Sequence, residues 1–240
     1  RDVAPSRGLG DVYKRQSKPS LKQLVYDNLR DQIIQGKLEP GMKLTEDDLA
    51  QSMNISRAPI REDLNMLERD GFAKIIPRKG AVVAGISRKD AADIWSCRIA
   101  LEPVAAREAL PHIPREELEA ALEHAVEIES TPYSFEKYVA SDLEVHGLYY
   151  THLDNEYMKS ILNNLKAHSV RVRWLREVKA SDRTLSLTSI SEHKRIIAAL
   201  LSGDGDLVSE SVKTHLIHSA ERLLDIFCLL YTSPSPRDGA

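Results

Sequence analysis

Asp142 and His146 stand four residues apart. On a helix that is about one turn, so a carboxylate and an imidazole aim at one point. His193, followed by Ile196, Ile197 and Leu200, sits near the start of another apolar-patterned helix. His215 falls midway along a third, among Val212, Leu216 and Ser219. A helix interior that collects three imidazoles and a carboxylate must satisfy them, and a divalent metal does so. The N3O donor set suits zinc first, with nickel, manganese or iron as alternatives. Such a centre keeps open positions for water or a ligand carboxylate. His218, three residues after His215, is the rival for its place. His112, His124, His152 and His168 read as ordinary half-buried histidines.

A second constellation is Ser56-Arg57-Ala58-Pro59-Ile60-Arg61-Glu62. Ser56 caps a helix whose buried face is Ile60, Leu64 and Leu67. Arg57 and Arg61, four apart, share a face roughly opposite those leucines. Arginines there match guanine edges or clamp phosphate. Thr45 and Ser56 offer hydroxyls to phosphate at helix N-termini. Small Ala58 and the ring of Pro59 let a polynucleotide backbone come close. The competing role for each arginine is a solvated pair with Glu62 or Asp63.

The surrounding elements follow from periodicity. Residues 20–35 predict a helix, with Ser20 as N-cap, Leu21, Val25, Leu29 and Ile33 every four residues, and Gly36 at its end. Glu39-Pro40-Gly41 is a turn. Thr45-Glu46-Asp47-Asp48 opens a short helix through Met53, and Asn54-Ile55 turns tightly into the Ser56 helix. Phe72–Ile76 and Ala81–Ile86 are short β-rich runs around the turn Pro77-Arg78-Lys79-Gly80. Two helices joined by a tight turn and followed by a basic-tipped hairpin predict a winged helix-turn-helix. Its N-terminal recognition-helix residues would enter a major groove, and Arg78, Lys79 and Gly80 suit the minor groove or backbone beside it. From Ser87 the pattern is helical: about 88–110, 114–130, 133–151, 155–180, 188–202 and 204–227, broken at Pro111, Pro114, Pro132, Asn155 and Gly203-Asp204-Gly205. The fold class is mostly α, a winged head (17–86) and an all-α helical bundle (87–227).

Composition bounds the rest. The chain has 240 residues, net charge −3 and two cysteines. That argues against a disulfide framework and for a reducing, cytoplasmic setting. No apolar run approaches a membrane span. One permitted coding of residues 6–16, reverse-complemented and read one base out of frame, encodes residues 228–237; it also resembles a transposon-end sequencing adapter. Residues 1–16 and 228–240 are therefore read as translated adapter and set aside. The body, 17–227, then nets −5; its bundle carries the excess, and the head is near neutral with its cations clustered. Cys97 remains alone and reads as a small core residue.

On these residues, 24–83 resemble the DNA-binding domain of the GntR superfamily of bacterial regulators. The resemblance is carried by Gly36-Lys37-Leu38-Glu39-Pro40-Gly41, Leu49-Ala50, Ile55 through Glu62, Gly71-Phe72 and Arg78-Lys79-Gly80. It implies a homodimer on a pseudo-palindromic double-stranded operator, with Arg57, Arg61 and Gly80 where members contact DNA. Some members use an arginine near the position of Asp47, a contact this chain lacks. Residues 87–227 resemble the FCD domain of the FadR-type branch, through Arg98, Leu101-Glu102, Asp142-x-x-x-His146, Asn155, Arg171, Arg173, Glu192-His193-x-x-Ile196 and His215-Leu216. Six helices and a short link are similar to its smaller, VanR-like variant. The resemblance implies that Asp142, His146, His193 and His215 hold a metal that holds a small carboxylate effector. Arg98, Asn155 and Arg171 are its candidate pocket residues. The expected function is a ligand-responsive transcriptional regulator, a repressor, with no catalytic residue and no membrane partner. The alternatives are a regulator with a purely structural metal, and a helical-bundle metalloenzyme activating water.

Overall fold

The computed structural model describes residues 21–77, 80–132, 134–177 and 183–231. Ser20, Arg78, Lys79 and almost all of the two stretches read as adapter lie outside them; residues 228–231 continue the last helix. The described residues fall into two units. The first ends at Ala84 and the second begins at Gly85, with Ile34–Lys37 grouped with the second.

In the first unit, α1 (Leu21–Ile34) buries Val25, Leu29 and Ile33. Helix α2 (Glu46–Met53) is capped by Thr45, whose hydroxyl accepts from the Asp48 N–H at 3.2 Å. Asn54 ends it at φ 54°, a left-handed conformation that asparagine tolerates. That single residue re-aims the chain into α3 (Arg57–Arg69), where Ile60, Leu64 and Leu67 are buried as expected. Burying each such side chain contributes about 1.5–3 kcal/mol. The wing is β2 (Ala73–Ile76) and β3 (Gly80–Val83), antiparallel with Ile76 opposite Gly80. A strand that periodicity did not show, β1 (Lys43–Leu44), pairs with β3, giving the order β1-β3-β2. Two residues are too few to display an alternating pattern.

The second unit contains six described helices: α4 (Arg88–Ala109), α5 (Arg115–Ser130), α6 (Phe135–His152), α7 (Glu156–Glu177), α8 (Arg183–Ser202) and α9 (Gly205–Tyr231). Ser87 and Asp90 form a reciprocal capping box at the start of α4. Its fully buried Ala105, Ala106 and Ala109 give α4 a smooth stripe in the same core as Val208, Val212 and Leu216 of α9. Helix α8 begins five residues earlier than expected, so His193 lies in mid-helix rather than near a start. Cys97 is exposed, not in the core. The inward stripe of α4 runs through Trp95, Arg98 and Glu102, and a residue two positions past Trp95 points away from it. His112 is likewise exposed. Among the described residues no helix is long and apolar enough to cross a membrane.

Candidate metal centre and DNA-reading surface

Helix α6 carries Asp142 and His146, α8 carries His193, and α9 carries His215. All four are at most 2% exposed. Each offers one donor atom, and these atoms lie within 4.8 Å of one another. Asp142 Oδ1 is 3.5 Å from His146 Nε2 and 3.4 Å from His193 Nε2. Asp142 Oδ1 and the Nε2 atoms of His146, His193 and His215 have no hydrogen-bond partner. Four buried polar atoms left so would each cost about 1–3 kcal/mol. A metal with ligands at about 2.0–2.2 Å spaces neighbouring donors by roughly 3.0–3.5 Å. The residues therefore fit a divalent cation.

The other ends of Asp142, His146 and His215 are held, whereas His193 Nδ1 has no partner. His146 Nδ1 is 2.7 Å from Glu102 Oε2, and Tyr149 donates its hydroxyl to the same oxygen at 2.6 Å. Arg98 donates through Nε to Glu102, and Arg173 donates to Asp142 Oδ2. His215 Nδ1 is 2.9 Å from Glu192 Oε2. A carboxylate on Nδ1 fixes the tautomer that leaves the Nε2 lone pair for a metal. Burial opposes the Asp142 charge, but Arg173 and His146 outweigh it and hold the carboxyl well below the usual range. Burial pushes His193 down and His215 down to about 3, so both imidazoles are neutral near pH 7. Burial also disfavours charge on His146, but Glu102 and Asp142 raise it overall. That is a proton a metal would displace.

Several sequence-derived residues are placed differently. His218 does not compete with His215: its side chain is 45% exposed and turns to Glu192 Oε1 at 2.9 Å. Arg98 is fully buried at the cluster, and its Nη1 has no partner. Asn155 directly precedes α7. It is exposed, and its side chain is spent capping α7 by accepting the Met158 N–H at 3.0 Å. Arg171 is buried, which pushes it down to about 10, but the arginine on Asp142 is Arg173. The roles of Glu192, Arg222 and Tyr149 were not anticipated. Glu192 precedes His193 in sequence yet serves His215 of another helix, a pairing that spacing cannot reveal. The Arg98–Glu102 pair, at four residues, was open to that reading.

On the head, Thr45, Glu46, Asp47, Arg57 and Arg61 line an open cleft of about 420 Å³ with wing residues Ile75, Pro77 and Gly80. Ser56 is the N-cap of α3 by position but makes no capping bond with its side chain. Ala58 is exposed and Pro59 half-buried. Gly80 has φ +84°, and a Cβ there would meet Leu44 O at 3.3 Å. The arginines are exposed but take partners from α2 rather than Glu62 or Asp63. Arg57 Nε is 2.6 Å from Asp47, and Arg61 grips Glu46.

A winged helix-turn-helix with exposed arginines on its second helix, followed by an all-α bundle around a buried carboxylate–histidine cluster, defines a two-part transcriptional regulator. The chain belongs to the GntR family: the model for bacterial regulatory proteins of the gntR family matches residues 21–83, and the FCD domain model matches 93–218. It is 30% identical over 221 residues to the gluconate operon transcriptional repressor of Bacillus subtilis, covering 88% of each chain. It is 29% identical over 209 residues to the repressor RspR of Escherichia coli K12, covering 86% of this chain and 90% of that one. Among solved structures, E. coli McbR/YncC superposes with TM-score 0.70 at 20% identity, over 89% of this chain and 99% of that chain. The two relatives matched in sequence are transcriptional repressors, not enzymes. GntR regulators bind DNA, and FCD domains take small-molecule effectors and metals.

Proposed function

We propose that the chain is a ligand-responsive repressor of cytoplasmic transcription, with a DNA-reading head over 17–86 and an effector-binding bundle over 87–227. Two copies form a homodimer and set two α3 helices on the half-sites of a pseudo-palindromic operator. Thr45, Ser56, Arg57, Ala58, Pro59, Arg61, Arg78, Lys79 and Gly80 face the DNA. Asp142, His146, His193 and His215 hold a divalent cation, zinc first, and the effector is a small organic or sugar acid. When bound, the metal supplies a Lewis-acid anchor for its carboxylate. Arg98 Nη1 and Arg173 Nη2, buried and without partners, supply further donors for it. An effector held among these helices favours some arrangements of the bundle over others, and operator affinity follows that bias.

The observation that carries this reading is the convergence of four buried, unpartnered donor atoms, with the other ends of Asp142, His146 and His215 fixed. The test is a mobility-shift titration of the full chain, with and without metal and with a panel of small carboxylates. Sequence-specific binding is expected, abolished in Arg57→Ala/Arg61→Ala. Carboxylates should alter it only in the metal-loaded protein. Carboxylate-insensitive binding with metal bound would leave the cation a structural role alone.

A further inference from the structure

The Arg61 fork is already half engaged. Its Nε and Nη2 donate to the two oxygens of Glu46 at 2.8 and 2.7 Å, a bidentate pair between α3 and α2. Glu46 is the first residue of α2, directly after the Thr45 cap, so the helix start fixes its position. A guanidinium carries five N–H donors in a planar fork and has two edges able to make paired contacts. Glu46 takes one of them. The Nη1/Nη2 edge remains, and Arg61 is among the residues that line the open cleft beside the wing.

Two effects follow. An arginine pinned at one edge has already lost much of its rotamer freedom, so a paired contact to guanine O6 and N7 costs less ordering. A carboxylate beside the fork also repels phosphate, which competes for the same arginine at every nonspecific site. Arg57 is held less firmly, by one contact to Asp47 between side chains 68% and 65% exposed.

We propose that Glu46 is a specificity-determining residue: it presents the free edge of Arg61 to a guanine and denies that arginine to phosphate. The proposal rests on the assignment of Arg61 to the DNA face. As an exposed ion pair, Glu46–Arg61 adds little to stability, so its role shows in discrimination rather than folding.

The experiment uses the full chain and a duplex obtained by selection from a random pool. Binding is measured by fluorescence anisotropy to that duplex, to its single base-pair variants, and to a random-sequence duplex, over a range of salt. Glu46→Gln should bind the random duplex about three- to tenfold more tightly, with a salt slope steeper by about one. Discrimination at one G·C pair should fall about tenfold, and the melting temperature should not move. Glu46→Asp keeps the charge but shortens the reach, so it should lose discrimination without gaining nonspecific affinity. Arg61→Ala should lose the same discrimination, and Glu46→Gln should then add nothing. If Arg61→Ala loses discrimination while both Glu46 variants keep wild-type discrimination and slope, Glu46 has no such role. If Arg61→Ala itself behaves as wild type on every duplex, the DNA-face assignment fails and takes the proposal with it.

Discussion

Glu192 of α8 binds the Nδ1 sides of two histidines of α9, His215 through Oε2 and His218 through Oε1, each at 2.9 Å. Arg222 closes the group from the same helix, at 2.9 and 2.6 Å to the two oxygens. Only His215 faces the cluster, so Glu192 would act on a bound metal by orienting that imidazole. Glu192→Ala should weaken zinc or nickel affinity about 10- to 100-fold, measured by competition with a chelating dye. His218→Ala should leave it within a factor of a few. Equal losses in both would mean that His218 is itself a ligand.

Removing a ligand should separate metal binding from folding. A metal at about 100 times its dissociation constant stabilises the folded chain by about 2.7 kcal/mol. Thermal melts with and without a chelator should therefore differ for the wild type and coincide for His193→Ala. A wild-type chain indifferent to both zinc and chelator would remove the metal from the scheme.

The metal-free bundle should lose stability in mild acid. His215, pushed down to about 3, and His193, also lowered by burial, stay neutral in the fold. In the unfolded chain they take protons near pH 6.5. Below that value the unfolded state binds more protons, so stability falls as pH falls, by at most about 1.4 kcal/mol per pH unit for each such group. His146 has the opposite sign: its raised value contributes stability below pH 6.5 that is lost as pH rises through the folded value. Two groups against one leave a net decline, and chemical denaturation at pH 7, 6 and 5 measures it. A flat or rising profile contradicts the burial described for His193 and His215.

Two glycines with similar backbones should respond differently to alanine. Gly36 has φ +69° and nothing within 4 Å of an added Cβ, whereas Gly80 at φ +84° has Leu44 O at 3.3 Å. The left-handed conformation costs both about 1–2 kcal/mol. Gly80→Ala adds displacement of β1 from β3, so its melting temperature should fall further than that of Gly36→Ala. Matching losses would show that the wing absorbs the methyl group.

The elements legible in the sequence were those with a long period or a strong stop. The Ile60-Leu64-Leu67 spacing, the Asn54 turn and the Pro-Arg-Lys-Gly hairpin each mark a local event, and the winged head follows from them. The carboxylate–histidine cluster was legible because Asp142 and His146 share one turn and because the family resemblance paired them with His193 and His215. What escaped depends on contacts between helices. Arg173 rather than Arg171 meets Asp142, and Glu192 serves His215 rather than its neighbour His193. Two residues along a helix decide which way an arginine points, and periodicity is least certain at that scale. Cys97 was misread for the same reason: the buried face of its helix near that point is carried by Trp95, Arg98 and Glu102, and polar members hide that face from an apolar pattern.

The four donor atoms come from three helices, with a chain of more than seventy residues between the first and the last. A cation there is a cross-link, pinning distant segments at one point much as a disulfide would and removing loop-closure entropy in one step. The ligands should then fail as a set. The first substitution opens the link and carries most of the cost, and a second or third adds little.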